Sequence, residues 1–272
     1  MAEKITAINP QLLVWAREST AQQLRSFLQA PLTEQKKIQK KEDAFEYWRD
    51  RFYSIGVYVF KNAFKDNSVS GFCIYDEEFP VICINNSLAF SRQIFTLFHE
   101  IYHLIIKTSG VDLLDDRGIF LSHNFDSSKE RLCNSFAGAF LVPDDDFTKV
   151  ASGKKLTDNF VQDLSNLYGV SMEVIWRKCL DRNWISDDYY NSKRDEINQE
   201  YFRYTEIEKQ KKKDSRGDCY NTQASYKGQH YMELAFSKYY SKKISLLQLA
   251  DYMNMKISSL QGLASRKGWG EV

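Results

Sequence analysis

The 272-residue chain carries 37 basic and 36 acidic side chains, and its net charge of +1 argues against a global attraction to nucleic acid or acidic membranes. Hydrophobic residues make up 43% and aromatic residues 14%, which is typical of an ordered globular protein. The five cysteines are scattered and form no C-x-x-C pair, which indicates free thiols in a reducing cytosol. No apolar run approaches the roughly 20 residues of a membrane span. We therefore expect a cytoplasmic protein without a membrane segment.

The first part of the chain has helical character. Apolar side chains recur with helical spacing over residues 5–30, and Asn9 followed by Pro10 is typical of a helix start. A charged stretch follows, with four lysines between Lys36 and Lys41. Such a run is typical of a solvated helix face or a linker, and contact with nucleic acid is the alternative. We assign residues 1–43 to an N-terminal helical segment.

Strand-like segments follow. Gly56–Phe60, Val69–Tyr75 and Val81–Asn85 are rich in β-branched and aromatic residues, and turn-forming residues separate the last two segments. Val69–Asn85 therefore predicts a β-hairpin. A small, mostly antiparallel sheet followed by a helix makes an α+β arrangement, in which an edge strand can hold an extended peptide by backbone pairing.

The most informative stretch is Ser91–Lys107, which contains the pattern H-E-x-x-H. Its apolar residues predict a buried helix, on which His99 and His103 project from the same face and can close on one metal ion. Glu100 lies about 100° round the helix, close enough to reach a water molecule beside the metal. The alternative is a structural histidine pair without a metal.

A second apolar helix is predicted from Glu130 to Pro143, capped by Ser127 or Ser128 and ended by the proline. A catalytic zinc site built from two histidines needs one further carboxylate and an open position for water. Glu130 is the candidate, since it opens the next apolar helix after the motif. Its position alone is equally consistent with a carboxylate that interacts with the helix dipole.

Taken together, these segments resemble the ImmA/IrrE family of zinc metallopeptidases. The matching elements are the strand pair GVYVF and VSGFCIY, the segment VICIN, the helix FTLFHEIYHLI and the stretch ERLCNSFAGAFLVP. The last is similar to the family signature E-x-x-A-N-x-F-A-x-x-L-L-x-P, with Cys133 at the usual alanine and Asn134 in register. The resemblance covers about residues 44–143 and continues more weakly towards the C-terminus.

The resemblance implies that His99, His103 and Glu130 bind Zn²⁺ and that Glu100 is the catalytic base of a gluzincin-like metallo-endopeptidase. Tyr102 stands where a glycine is common, and we expect it to crowd the helix without touching a ligand. The implied fold is a zincin-like α+β peptidase domain, assigned to residues 44–150. Many family members carry an N-terminal repressor-like helix-turn-helix, but no recognition helix is evident before the charged stretch here.

Downstream of this core, Leu156–Ile185 predicts two helices joined near Gly169. They can be read as a helix-turn-helix, in which Arg177, Lys178 and Arg182 would meet phosphates, or as an αα-hairpin packed on the peptidase domain. We assign this unit to residues 151–185.

The remainder, residues 186–272, is expected to be a mainly helical region. It begins with a polar connector or exposed helix end over residues 186–217, which includes the basic run Lys209–Arg216. Helical periodicity returns from Gln223 to Arg266. His123 and His230 are the remaining histidines; either could stabilise the oxyanion of a peptidase or be a surface residue, and neither is assigned to the site.

The leading functional hypothesis is a zinc-dependent endopeptidase. The resemblance implies limited, regulatory cleavage of a specific protein, such as a helix-turn-helix repressor, in transcription regulation or a stress response. The sequence does not identify the target or an oligomeric state. The alternative is a DNA- or protein-binding regulator that uses the zinc peptidase fold as a scaffold.

Overall fold

A four-stranded mixed sheet is covered by helices in the computed structural model, which describes residues 17–64, 68–113, 127–212 and 219–270. The strands are β1 Tyr58–Asn62, β2 Val69–Ile74, β3 Val81–Asn85 and β4 Gly110–Leu113. The helices described are α1 Arg17–Phe27, α2 Leu32–Gln35, α3 Lys41–Ser54, α4 Phe90–Ile105, α5 Ser127–Leu141, α6 Asp144–Ala151, α7 Asp158–Tyr168, α8 Met172–Asp181, α9 Asp187–Lys212, α10 Cys219–Lys227, α11 Gln229–Tyr240, α12 Leu246–Met253 and α13 Ile257–Lys267.

The strands lie in the order β1-β3-β2-β4. Strand β2 pairs antiparallel with β3, with Gly71 opposite Ile84, so the predicted hairpin is confirmed. Strand β2 also pairs antiparallel with β4, whereas β1 and β3 are parallel. The first strand begins later than predicted because Gly56, with φ of 82°, belongs to the turn that follows α3. The sheet is mostly antiparallel and the prediction of an α+β fold is confirmed.

The motif helix α4 packs directly on this sheet. A Cβ atom on Gly71 would lie 2.7 Å from Cγ2 of Thr96, so the absence of a side chain in β2 allows the helix to approach. On the opposite side, Phe98 of α4 stacks on Phe140 of α5 at 4.2 Å and meets Trp48 of α3 edge-on at 4.9 Å. These three rings are almost completely buried. Helix α4 is therefore fixed between the sheet and two helices.

Helix α1 is attached to the end of α5. The guanidinium of Arg25 donates hydrogen bonds to the carbonyl oxygens of Ala30, at 2.9 Å, and Phe140, at 2.6 Å. The amide of Gln35 donates to the carbonyl oxygens of Leu141 and Tyr168, both at 2.8 Å. The described part of the N-terminal segment is thus built into the same core as α5. The expected helix start at Asn9 and Pro10 lies outside the described residues.

The helix pair predicted within Leu156–Ile185 is confirmed as α7 and α8. Gly169 ends α7 in the left-handed conformation, with φ of 72°, and Ser171 caps α8 by accepting a hydrogen bond from the Val174 amide. Ile175 and Trp176 are completely buried in the main core. The pair is therefore part of the body that carries the sheet.

The C-terminal helices have a second core around Met232, Phe236 and Leu249. Contacts with α3 include the ring of His230, which stacks on Tyr53 at 4.4 Å, and Arg49, which donates to the carbonyl oxygen of Ser225 at 2.9 Å. Residues 187–212 of the expected polar connector form helix α9. The side chains of the basic run 209–216 lie outside the described residues. Among the described helices, none has the length and apolarity needed to cross a lipid bilayer.

Candidate metal centre

Two buried histidines face each other on α4. His99 and His103 lie one helical turn apart, and their Nε2 atoms are separated by 3.2 Å. The exposed fraction is 0% for His99 and 5% for His103. The sequence prediction that these two side chains converge is confirmed geometrically.

The other ring nitrogen of each histidine has an oxygen partner. Nδ1 of His99 lies 2.9 Å from Oδ1 of Asn134, an amide oxygen that can only accept. Nδ1 of His103 lies 3.2 Å from Oγ1 of Thr108, whose own proton goes to the carbonyl oxygen of His103. Both Nδ1 atoms are therefore the donors in these contacts. In a neutral imidazole this leaves the lone pair on Nε2, the nitrogen that points into the cluster.

Two Nε2 lone pairs at 3.2 Å repel each other unless a cation lies between them. Either a proton or a metal ion can provide that positive charge. Asn134 and Thr108 fix the rings in the orientation that metal-binding histidines require, because such histidines usually donate their second N–H to an oxygen. The acceptors on both rings are therefore placed as they are around metal-binding histidines.

Glu130, in the first turn of α5, supplies a carboxylate to the same point. Its Oε2 lies 3.0 Å from Nε2 of His99 and its Oε1 lies 3.4 Å from Nε2 of His103. Burial raises the pKa of Glu130, but hydrogen bonds and charge from His103 and His99 outweigh this and lower the pKa to about 2. The carboxylate is therefore ionised at neutral pH.

These distances fit a tetrahedral ion. With bonds of about 2.0–2.1 Å from zinc to nitrogen or oxygen, two donors of one tetrahedral site lie about 3.3 Å apart. The two Nε2 atoms are 3.2 Å apart, and the two carboxylate oxygens of Glu130 lie 3.0 Å from Nε2 of His99 (Oε2) and 3.4 Å from Nε2 of His103 (Oε1). Two neutral imidazoles and one carboxylate also match the donor types of catalytic zinc sites. The residues present are compatible with the metal that the sequence predicted.

Cys133 is an additional donor that the sequence reasoning did not assign to the site. Its sulfur lies 3.4 Å from Nε2 of His103, and the side chain is completely buried. The donor atoms of His99, His103 and Cys133 all lie within 4.8 Å of one another, so the three can share one ion. The sequence feature that could have identified Cys133 is its spacing from Glu130, because residues three apart lie on the same helix face.

Two further motif residues occupy different surroundings. Glu100 is completely buried on α4, beside His99 in sequence. Tyr102 is half-buried, and its ring packs on Phe136 of α5 with centroids 4.7 Å apart. This contact explains how a tyrosine is accommodated where the sequence analysis expected crowding, since the ring lies against the neighbouring helix.

Of the other two histidines, the structure describes His230. His230 lies on α11, where Nε2 is 3.3 Å from a carboxylate oxygen of Asp50 and the ring stacks on Tyr53. His123 lies outside the described residues. An oxyanion donor is therefore not assigned to either.

Comparison with known families adds an independent finding. Residues 53–180 match the family model Peptidase_M78, described as an IrrE N-terminal-like domain. A search among curated proteins found no match. The matched region contains the whole sheet, both metal-site helices and the α7–α8 pair.

Proposed function

We propose that this chain, which belongs to the ImmA/IrrE family of peptidases through residues 53–180, is a zinc-dependent endopeptidase. The zinc ligands in this proposal are His99, His103 and Glu130, and the catalytic base is Glu100. Family membership implies a peptidase that acts on protein. The proposal adds the identity of the metal, the gluzincin-like ligand set and the roles of the four residues.

The observation that carries the proposal is the convergence of the Nε2 atoms of His99 and His103 with the ionised carboxylate of Glu130. Each Nε2 atom lies within 3.4 Å of the other and of a carboxylate oxygen. Asn134 and Thr108 orient the imidazoles so that their lone pairs face the carboxylate. A protonated histidine beside Glu130 would also relieve the repulsion. A protonated ring also donates from Nδ1, so the acceptors at both Nδ1 atoms fit either state, and the match to a peptidase family model is what favours the metal.

When bound, zinc would lower the pKa of a coordinated water molecule towards about 7 and polarise the scissile carbonyl. Glu100 would then accept the proton of the attacking water and return it to the leaving amine, which cleaves the peptide bond. Its burial keeps bulk water away from this proton transfer. Glu130 would act as an ionised carboxylate, since a carboxylate must be deprotonated to bind the metal.

The substrate of this proposal is an extended protein segment. Among the described strands, β4 follows the motif helix directly and lies at the end of the sheet order, and a peptide would pair with its outer edge. At the opposite end, Phe60 of β1 contacts Tyr231 of α11 with ring centroids 5.0 Å apart, so C-terminal helices approach that edge. We propose limited cleavage of a regulatory protein, such as a helix-turn-helix repressor, in transcription regulation or a stress response.

The alternative, DNA reading by the α7–α8 pair, has less support from the contacts. Two of the three basic residues that would meet phosphates bind one carboxylate: Lys178 lies 2.7 Å and Arg182 lies 2.6 Å from Oδ1 of Asp144. Arg177 is 2.9 Å from Asp181. The pairs with Asp144 connect α8 to α6, and the pair between Arg177 and Asp181 lies within α8. They favour the αα-hairpin over a DNA-reading unit.

The decisive experiment uses Glu100→Gln in the full chain, loaded with zinc and mixed with a candidate repressor protein. We expect the variant to retain one zinc per chain and to lose cleavage, because the amide cannot accept the proton. Glu77→Gln, at an exposed position between β2 and β3, is the matched control and should cleave normally. Cleavage by Glu100→Gln, or a wild-type protein that binds no metal, would refute the proposal.

A further inference from the structure

We propose that Cys133 is a fourth zinc donor that closes the metal centre in the resting protein. This inference rests on the proposed function, because it assigns a resting state to the same site. It makes the enzyme latent until the sulfur leaves the metal.

The distances place the thiol within reach of the ion. For a zinc–nitrogen bond of about 2.05 Å and a zinc–sulfur bond of about 2.3 Å, a tetrahedral site separates nitrogen and sulfur by about 3.6 Å. The Cys133 sulfur lies 3.4 Å from Nε2 of His103. This nitrogen is also the one that contacts Glu130, at 3.4 Å. Sulfur and carboxylate therefore converge on the same point from one helix.

The position of Cys133 on α5 leaves little freedom to avoid this contact. Glu130 and Cys133 are three residues apart and share a face of the helix. Helix α5 is held against α4 by Phe136 beside Tyr102 and by Phe140 stacked on Phe98. These ring contacts fix the spacing of the two helices.

A buried cysteine often serves only as a small apolar side chain. Cys179 of α8 is an example in this chain, since it is completely buried in the main core and its thiol pKa is raised to about 11 by burial. Cys133 differs because its sulfur faces the nitrogen that would bind the metal. That orientation points to metal coordination.

The chemical consequence follows from the number of protein ligands. Structural zinc sites have four protein donors, whereas catalytic sites keep one position for water. When the Cys133 sulfur binds, its proton passes to solvent and the thiolate takes the position that catalysis needs for water. When the sulfur leaves, it regains a proton from solvent and water enters. This exchange consumes no oxidant or reductant.

The test replaces zinc with cobalt(II) in the full chain and compares wild type, Cys133→Ala and Cys179→Ala. A thiolate bound to cobalt(II) gives a near-ultraviolet charge-transfer band. We expect the band in wild type and in Cys179→Ala, which keep the sulfur donor, and its loss in Cys133→Ala. We also expect Cys133→Ala to bind zinc at least about tenfold more weakly, since a donor is lost, and to cleave faster than wild type.

Cys133→Ser keeps nearly the same side-chain volume, so it replaces the alanine variant if that one fails to fold. A wild-type cobalt protein without the band would overturn the inference while leaving the peptidase proposal intact, provided that one metal binds per chain and Glu100→Gln is inactive. Loss of the band without faster cleavage would overturn the latent state. A wild-type chain that binds neither cobalt nor zinc would overturn both proposals.

Discussion

Asn134→Ala tests whether the metal centre depends on the orientation of its histidines. The Asn134 oxygen accepts the Nδ1 proton of His99 at 2.9 Å, in an environment where His99 has no exposed surface. Removing the amide leaves that N–H without its acceptor and allows the ring to rotate. Loss of such an outer partner typically weakens metal affinity about 10- to 100-fold, which is about 1.4–2.7 kcal/mol of binding free energy.

The affinity is measured by competition with a chromogenic zinc chelator, and the thermal midpoint of the zinc-free protein is recorded in parallel. Thr108→Val applies the same change to His103, where the contact is longer at 3.2 Å, so we expect a smaller loss. The matched control is Asn166→Ala, because Asn166 is exposed on α7 and its side-chain oxygen accepts a hydrogen bond from Gln162 of the same helix. Zinc affinity of Asn134→Ala equal to that of the control would contradict the proposed ligand orientation.

Three further predictions concern the framework around the site. Arg25→Leu should lower the free energy of unfolding by about 2–4 kcal/mol in urea titration, because it leaves the carbonyl oxygens of Ala30 and Phe140 without this donor. Burial, and then the charge of Arg49, lower the pKa of Lys61 from 10.5 to about 8. As the pH rises, Lys61 therefore loses its proton in the folded state before it does so in the unfolded state. The stability of the wild type should consequently rise between pH 8 and pH 10.5. Lys61→Met removes this pH dependence and should stabilise the protein at neutral pH by at most about 3 kcal/mol. The gain should shrink as the pH approaches 10.5. A gain that stays the same at all pH values would contradict the claim that the buried charge of Lys61 destabilises the fold. Tyr102→Ala should lower the thermal midpoint by removing the contact with Phe136 and leave zinc affinity unchanged, whereas a large loss of affinity would assign Tyr102 to the site.

Local patterns were sufficient for much of the fold. Residues close together in sequence determine three features: the apolar H-E-x-x-H helix, the hairpin over residues 69–85 and the turn at Gly169. The parallel pairing of β1 with β3 does not, because it joins strands separated by β2. Strand β4 was also missed, since Gly110–Leu113 lies in a turn-rich stretch and acquires its structure by pairing with β2.

The candidate site likewise has features that local sequence predicts and features that depend on tertiary packing. The i, i+4 spacing of His99 and His103 fixes their shared face, so the sequence predicted that these two converge. For Glu130 the sequence left a helix-dipole role open, because only the packing of α5 on α4 decides which groups the carboxylate meets. Cys133 and Asn134 follow three and four residues after Glu130. Their spacing indicated a common face, but not that this face meets the histidines.

One helix therefore supplies three different groups to the candidate metal centre: the carboxylate of Glu130, the thiol of Cys133 and the amide of Asn134 that contacts His99. These groups move together if α5 shifts along α4. The stack of Phe98 on Phe140, at 4.2 Å, fixes that relation, and Phe98 directly precedes His99 in sequence. Because zinc binding stabilises only the folded arrangement, a substitution that loosens this stack should lower both stability and metal affinity. Lys61 lies on the sheet and contacts neither ring of this stack in the described structure, so its replacement should change stability alone.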